Sequence, residues 1–319
     1  SGAVKTKNLH IHWFRHGDLR LHDNPALCHA IQQASENKKQ AEILPVFCFD
    51  PRLIGDDARS RLSGELKCGP RRAQFVMESV SDLRSNLESL GSGLIVAHGR
   101  PEDVFQTIID KAHEHQPLQD VTIYCQEEVA SEEISVDKAV RSVLHKRFPQ
   151  GGRLQKIWGS TLYNPEDLPF NGQALGMPDV FTPFRNKVEK NCKIGKPLPS
   201  PSKGSLSVPE DYQTLFSSNE ENNNKEGCTL SYLPKLEDLG YSTEQVQMAL
   251  NPDPRGVMHF RGGETAALAR VKDYIWTKDR LKIYFDTRNG MLGPDFSTKF
   301  SPWLAHGCLS PRYIAKECK

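Results

Sequence analysis

The strongest constraint on the fold is the alternation of short apolar runs with amphipathic helical patterns over the first 160 residues. One such helix begins at Pro70, carries an apolar stripe and ends at Gly91. Short strand–helix links of this kind predict an α/β fold, a doubly wound parallel five-stranded sheet whose ligands bind beyond the carboxyl ends of the strands. We predict the strands at residues 9–14, 43–49, 94–97, 121–125 and 154–158.

The middle of the chain has a different composition. Residues 165–240 are rich in Pro, Ser, Asn and Gly, with a short helical pattern near residues 180–189. Such a composition buries little apolar surface, so it favours a surface linker that is partly mobile.

The last part of the chain has a helical period. From Gly262 we predict one long helix through Tyr284, a second helix over residues 297–305 closed by Gly307, and a third that starts at Ser310. The third helix stops soon after it starts, so we expect this domain to be incomplete. The predicted units are an α/β domain at 8–163, a linker at 164–240 and the beginning of an all-helical domain at 241–319.

Charge and hydropathy exclude several classes of protein. There are 41 Lys and Arg against 40 Asp and Glu, which excludes a uniformly basic nucleic-acid binder. No run of 18 apolar residues exists, so no membrane span is predicted. Residues 255–319 contain 12 Lys and Arg against 6 Asp and Glu. This basic end favours a phosphate-bearing partner, although a solvated helix surface would look the same.

The cysteines and histidines suggest no metal site. The eight cysteines are scattered, without a Cys-x-x-Cys pair or zinc spacing, so we predict no metal and a reducing, intracellular location. The first residues lack the apolar core of a secretory signal, and nucleus and organelle both remain open.

Residues 286–312 are the most informative stretch for chemistry. A loop rich in Gly and Pro runs into Ser297, Thr298 and Lys299 and then into a predicted helix. Hydroxyls, a lysine and free N–H groups at a helix N-terminus form a phosphate seat. The alternative is an ordinary serine cap beside an exposed lysine.

This stretch carries a resemblance to a known family. Ser-Thr-Lys-Phe-Ser-Pro-Trp-Leu at 297–304, followed by Gly-Cys-Leu-Ser-Pro-Arg at 307–312, resembles the photolyase/cryptochrome family. Trp-Phe-Arg at 13–15 and the run at 18–25 are similar to it too. The resemblance narrows to the cryptochrome-DASH branch at residues 158–163, 167–170, 177–182, 260–264 and 287–291.

The resemblance implies a two-domain flavoprotein. Family members have an α/β domain, a long linker and an all-helical domain that holds FAD. In this chain the FAD contacts would fall on Tyr284 and on Ser297, Thr298, Lys299, Phe300 and Ser301. The folate antenna of the DASH branch, 5,10-methenyltetrahydrofolate, would contact Glu78, which lies off the apolar stripe of its helix and could equally be an ordinary exposed glutamate. The catalytic residues are expected beyond Lys319.

The implied activity is light-driven DNA repair. Such proteins split cyclobutane pyrimidine dimers, mainly in single-stranded DNA, by electron transfer from photoexcited reduced flavin. We expect a monomer when the protein is full length, with Arg288 and Arg312 as candidate contacts to the DNA backbone. Trp276 and Trp303 are predicted to be core residues. His16-Gly17 lengthens a turn relative to the family pattern, and His306 replaces a common aliphatic residue.

Two other functions remain open. The first is a non-catalytic blue-light photoreceptor or regulator with the same fold. The second is a truncated α/β interaction module without FAD, in which exposed apolar side chains would need a partner. Those side chains are Val271, Ile275, Phe300 and Leu304.

Overall fold

A parallel five-stranded sheet forms the centre of the first half of the chain. The computed structural model describes residues 6–35, 40–170, 176–216, 232–251, 253–290 and 293–319. The described strands are β1 (Lys7–Phe14), β2 (Ala41–Glu42), β3 (Leu44–Phe49), β4 (Ile95–His98), β5 (Leu118–Gln126), β6 (Gly152–Ile157) and β7 (Leu206–Ser207). Strands β2 and β7 form a separate two-stranded sheet. The order in the sheet is β4-β3-β1-β5-β6, and every pair is parallel. The predicted fold class and the five predicted strands are confirmed.

Helices cover both faces of this sheet, as a fully buried parallel sheet requires. The first helices are α1 (Pro25–Ala34), α2 (Pro70–Ser89), α3 (Pro101–His115) and α4 (Ser131–Arg147). One apolar cluster joins α1 and α2 to one face, and a second cluster joins α3 and α4 to the other. Both clusters are made of side chains that are almost wholly buried, so the sheet lies in the core.

Part of the predicted linker packs into this core. It contains α5 (Phe181–Asn191), β7 and α6 (Glu210–Leu215). Strand β7 pairs in parallel with β2, and Tyr212 and Phe216 are buried in the cluster with α3 and α4. We call residues 206–216 the return segment. The prediction that this region buries little apolar surface is wrong for the return segment, because its aromatic residues meet partners that lie far away in the sequence.

The last part of the chain is helical but more broken than predicted. It contains α7 (Thr243–Leu250), α8 (Glu264–Val271), α9 (Tyr284–Thr287), α10 (Ser301–Ala305) and α11 (Pro311–Glu317). A π-helical stretch over residues 272–277 continues α8, and a 3-10 turn over residues 280–283 precedes α9. Asp279 breaks the predicted long helix because its backbone is left-handed, with φ 49°.

The predicted second helix also begins later than expected. Lys299 has φ 58°, so the chain turns there and α10 starts only at Ser301. Gly307, at φ 61°, ends α10 as predicted, and the Ser310 hydroxyl accepts from the N–H groups of Arg312 and Tyr313 at the start of α11.

The apolar residues of the helical part are mostly covered. Trp303 is buried, as predicted, and its indole N–H donates to the carbonyl of Arg261 at 2.9 Å. Trp276 is 63% exposed, so its assignment to the core is wrong. Of the four apolar residues expected to be exposed in an interaction module, three are buried and Leu304 is 39% exposed.

A buried polar network, which we call the junction network, connects the turn after β1 with the helical part. Asp23 accepts from Nη2 and Nε of Arg312, at 2.6 and 2.9 Å, and from the Ser310 hydroxyl and the Leu198 N–H. Glu264 accepts from the backbone N–H groups of Leu21 and His22 at 2.9 and 2.8 Å. The two halves are therefore joined by charge-assisted hydrogen bonds that are largely shielded from water.

Candidate functional site

The loop before α10 presents polar groups that have no protein partner. The hydroxyls of Ser297, Thr298 and Ser301 make no hydrogen bond within the described part of the chain, and neither do the backbone N–H groups of Ser297 and Thr298. Lys299 is half-buried in its left-handed turn, and Phe300 is buried beneath it. The loop thus offers several hydrogen-bond donors close together, which suits an anionic ligand.

The helix that follows contributes less than the sequence suggested. Helix α10 has five residues, and Ser297 and Thr298 lie before its first turn. The macrodipole of so short a helix is small, so the donors of the loop itself must supply the attraction for an anion. The serine-cap alternative is wrong here, because no side chain caps α10.

Two tyrosines share an apolar cluster with Phe300 of this loop. Tyr284 is half-buried and packs on the same apolar cluster as Phe300. Tyr274 is fully buried, and its ring meets that of Phe300 edge-on, with 6.2 Å between the ring centres. Its hydroxyl has no hydrogen-bond partner in the described part of the chain. Burial and the nearby Tyr284 raise the pKa of Tyr274, so its hydroxyl stays protonated and available as a donor. The ring contact to Phe300 is made by Tyr274. The joint role of Tyr284 and the 297–301 loop in holding a ligand stays a prediction.

Arg270 holds the loop from behind, and we did not predict it. Its guanidinium is buried and donates to the carbonyls of Pro294, Ser297 and Thr298 at 2.6, 3.4 and 3.1 Å. It also donates to Asp295 at 2.9 Å. The signal in the sequence was an arginine between Ala269 and Val271 in an otherwise apolar helix.

Glu78 lies in a different place. It borders a cleft of about 310 Å³ between α2 and residues 260–262, together with Gln74 and Asp82. Its side chain is half-buried rather than exposed, and it accepts from the Gly262 N–H at 2.7 Å and from the Gln74 amide at 3.1 Å. The carboxylate thus fastens α2 to the helical part while also facing the cleft.

A larger cavity, of about 1140 Å³, opens where the fold predicts a ligand, at the carboxyl ends of the strands. Phe14 and Cys48 line its floor, and His16 and His306 face it from two sides. The two departures from the family pattern therefore meet at one cavity. Arg72 lies beside them, with its Nε 3.4 Å from Nε2 of His306.

The histidines near this cavity are held neutral. Burial, followed by repulsion from Arg72 and from any proton on His306, lowers the pKa of His16 to about 4. Burial and then Arg72 lower the pKa of His306 to about 4. Burial alone lowers the pKa of His12 to about 3, whereas it raises the pKa of Asp18 to about 7.

We expect these groups to make the chain sensitive to acid. Unfolding exposes the three histidines, which bind protons below about pH 6.5, whereas Asp18 releases one. Around pH 5 the unfolded state therefore binds about two more protons, and stability should fall by roughly 2 kcal/mol for each pH unit lost between about pH 6 and 4.5. Urea unfolding at pH 7, 6 and 5 measures this slope.

A pair of variants identifies the source of the slope. His306→Leu should lower the number of protons bound on unfolding by about one, so the free energy of unfolding should depend less steeply on pH. His115→Gln, at an exposed position, should leave this dependence unchanged. Equal slopes in both variants would contradict the assignment to buried histidines.

The two arginines considered for DNA differ in their surroundings. Arg312 is committed to Asp23 in the junction network, so its side chain is structural. Arg288 is exposed and lies over the exposed ring of Phe285, with 5.7 Å to the ring centre. Arg288 alone of the two is free to contact a phosphate.

Neither a metal-binding cluster nor a membrane-spanning helix is found among the residues that the structure describes. No group of three or more His, Cys, Asp or Glu side chains there could hold a metal ion. None of the helices in that part is both long enough and apolar enough to cross a membrane.

Comparison with known proteins gives consistent results. The family model described as DNA photolyase matches residues 10–202. The cryptochrome DASH, chloroplastic/mitochondrial, of Oryza sativa subsp. japonica is 41% identical over 96% of this chain and 48% of its own length. The crystal structure of the Synechocystis sp. PCC6803 cryptochrome is 37% identical, with a TM-score of 0.78 over 99% of this chain and 56% of that one.

A more distant structure shares the fold. The archaeal photolyase of Sulfolobus tokodaii, solved with two FAD molecules, is 22% identical, with a TM-score of 0.60 over 97% of this chain and 54% of that one. The chain spans about half the length of the relatives it matches. It belongs to the DNA photolyase family, and within that family it is similar to the cryptochromes of the DASH type.

Proposed function

We propose that this chain forms the antenna-binding part and a portion of the flavin-binding part of a blue-light-dependent photolyase of the cryptochrome-DASH type. The observation that carries this proposal is the group of donors on Ser297, Thr298 and Ser301 that have no partner within the described residues. Those donors fit the diphosphate of FAD, because hydroxyl and N–H groups can bond its oxygens without a competing protein acceptor.

Each residue has a role in this proposal. Ser297, Thr298 and Ser301 donate to the diphosphate, and Lys299 adds positive charge. Tyr284 covers the cofactor from the side of α9. When bound and reduced, FAD supplies the photoexcited electron that splits a cyclobutane pyrimidine dimer, and the protein supplies binding and orientation.

The proposed substrate is a pyrimidine dimer in single-stranded DNA. The two linked bases of the dimer must leave the stack to reach a buried cofactor, and this costs least in a single strand. Arg288 is the proposed contact to the DNA backbone, since it is exposed and carries no ion pair within the described residues.

The first test is flavin retention by the 319-residue chain. We expect a flavin absorption band after incubation with FAD and gel filtration, and we expect the Ser297→Ala/Thr298→Ala double variant to lose it. The Ser85→Ala/Thr107→Ala double variant is the matched control, because those hydroxyls bond only carbonyls of their own helices. A band that persists equally in both variants would place the cofactor elsewhere.

The second test separates an enzyme from a photoreceptor. The full-length protein with bound FAD is illuminated with blue light in the presence of a single-stranded oligonucleotide that contains one thymine dimer. Restoration of intact thymines is expected. Absence of repair by a flavin-loaded protein would favour the regulator without catalysis.

The antenna gives a separate prediction. We propose that the cleft beside Glu78 holds 5,10-methenyltetrahydrofolate, with the carboxylate as its polar contact. Glu78→Gln keeps an acceptor for the Gly262 N–H but removes the charge, so it should weaken folate binding about tenfold while changing stability little. Glu88→Gln, on the exposed side of the same helix, is the control. Folate affinities are measured by the near-UV band, and equal affinities in the two variants would contradict the assignment.

The location in the cell is also a proposal. The Oryza sativa relative is named chloroplastic/mitochondrial, and we propose an intracellular location for this chain. Imaging a fluorescent fusion of the full-length protein distinguishes the nucleus from an organelle.

A further inference from the structure

The inner side of the candidate flavin loop is organised by one buried side chain. Arg270 is 7% exposed and comes from α8, the helix that packs beneath the loop. Its guanidinium donates to the carbonyls of Pro294, Ser297 and Thr298. A planar guanidinium with five N–H donors in a fixed fork suits such a set of acceptors, and a lysine ammonium does not.

These contacts determine which groups the loop shows to a ligand. A carbonyl oxygen carries partial negative charge and would repel a phosphate. Arg270 turns the carbonyls of Ser297 and Thr298 inward, whereas the N–H and hydroxyl groups of the same two residues have no partner among the residues that the structure describes. The loop is therefore rich in donors on the side away from Arg270.

The charges around Arg270 also favour an anion at the loop, because the nearby carboxylates are paired with cations. Arg270 donates to Asp295 at 2.9 Å and to Asp273 at 3.1 Å, and Lys278 lies 2.9 Å from Asp273 and 3.1 Å from Asp295. Burial alone would raise the pKa of Asp295, but the hydrogen bonds from Arg270 and Lys278 outweigh burial and lower it. Two cations thus neutralise two carboxylates that would otherwise oppose an anion next to the loop.

We propose that Arg270 is the positioning residue that sets this loop to recognise the diphosphate of a flavin dinucleotide. Arg270 acts through the loop carbonyls and does not itself contact the ligand. This inference rests on the proposed function, since it concerns the same site. Its consequence is specificity: Arg270 should matter for a flavin that carries a diphosphate and not for riboflavin, which has none.

The test compares two flavins on three proteins. Dissociation constants of FAD and riboflavin are measured by flavin fluorescence with the 319-residue chain, Arg270→Lys and Arg270→Gln. We expect the glutamine variant to bind FAD at least about tenfold more weakly and to bind riboflavin as the unchanged chain does. The lysine variant should also lose FAD affinity, because charge without the fork cannot hold three carbonyls.

Arg52→Gln is the matched control. Arg52 also makes forked contacts to two carboxylates, those of Asp50 and Glu102, but it lies in the α/β part. It should leave the ratio of the two dissociation constants unchanged. An equal loss of both flavins in the Arg270 variants would overturn the inference, since that result would show a general loss of structure.

Amide hydrogen exchange keeps the inference separate from the proposed function. If the unchanged chain binds no FAD, the proposed function fails for this chain. The loop is then judged alone: Arg270→Lys should speed exchange over residues 294–301, and Arg52→Gln should not. Unchanged exchange in Arg270→Lys would show that Arg270 does not position the loop, whatever the flavin does.

Discussion

Gly307→Ala should destabilise the chain more than any other single methyl group we consider. A Cβ at this position would lie 1.8 Å from the carbonyl oxygen of Gly17 and 2.5 Å from the backbone nitrogen of Asp18. Gly307 also has φ 61°, which side chains rarely adopt. We expect a loss of about 3–6 kcal/mol, because positive φ costs about 1–3 kcal/mol and overpacking a similar amount or more.

The control for this variant is another left-handed glycine. Gly91 has φ 88°, and nothing lies within 4 Å of the position where its Cβ would be. Gly91→Ala should therefore lose only the conformational cost, about 1–2 kcal/mol. Urea unfolding followed by circular dichroism and by tryptophan fluorescence measures both variants. If Gly307→Ala is no less stable than Gly91→Ala, the turn after β1 does not pack against Gly307 as described.

Asp23→Asn should give the second large effect. Asparagine has nearly the same shape as aspartate and tolerates the left-handed backbone at this position, where φ is 45°. The substitution removes the negative charge opposite Arg312, which donates to Asp23 at 2.6 Å and has a side chain only 19% exposed. We expect a loss of about 2–4 kcal/mol, somewhat below the usual cost of breaking a fully buried pair.

An exposed pair is the comparison for Asp23. Asp56 lies 2.9 Å from Arg59, but its side chain is 41% exposed. Asp56→Asn should therefore change the free energy of unfolding by about 0–1 kcal/mol. Equal effects of Asp23→Asn and Asp56→Asn in urea unfolding would mean that the junction network adds little to stability.

The sequence predicts local structure well where the local pattern is strong. Five apolar runs predict the five strands of the sheet, since no other arrangement buries them with helices between. Gly307 predicts the end of α10, because a glycine after a helical stretch favours the left-handed conformation. These features depend on residues that are neighbours in the sequence.

The sequence does not predict local structure that depends on a distant contact or on the φ angle of a single residue. Asp279 and Lys299 are compatible with a helix by composition, yet both adopt the left-handed conformation. Trp276 looks like a core residue, but its indole N–H donates to Glu317 at the edge of the molecule, at 2.9 Å. Arg270 carries no local sign of the carbonyls that it holds.

The candidate site follows the same division. The motif at 297–304 predicts a hydroxyl-bearing loop before a helix, and the structure has such a loop before α10. The pattern could not show that Ser297 and Thr298 precede the helix, because that depends on the turn at Lys299. It also could not show that Glu78 is tied to Gly262, a residue of the helical part.

The return segment has a consequence for how the protein is made. The sheet is complete in sequence at Ile157, but Tyr212 and Phe216 close one of its apolar clusters much later. During synthesis the five strands leave the ribosome before these aromatic rings do. The apolar surface next to α3 is exposed to solvent until they follow. A chaperone would protect that surface in the interval. A chain that ends at residue 163 lacks these two rings, so the apolar surface next to α3 stays exposed. The unit that can be expressed alone therefore extends at least through Phe216.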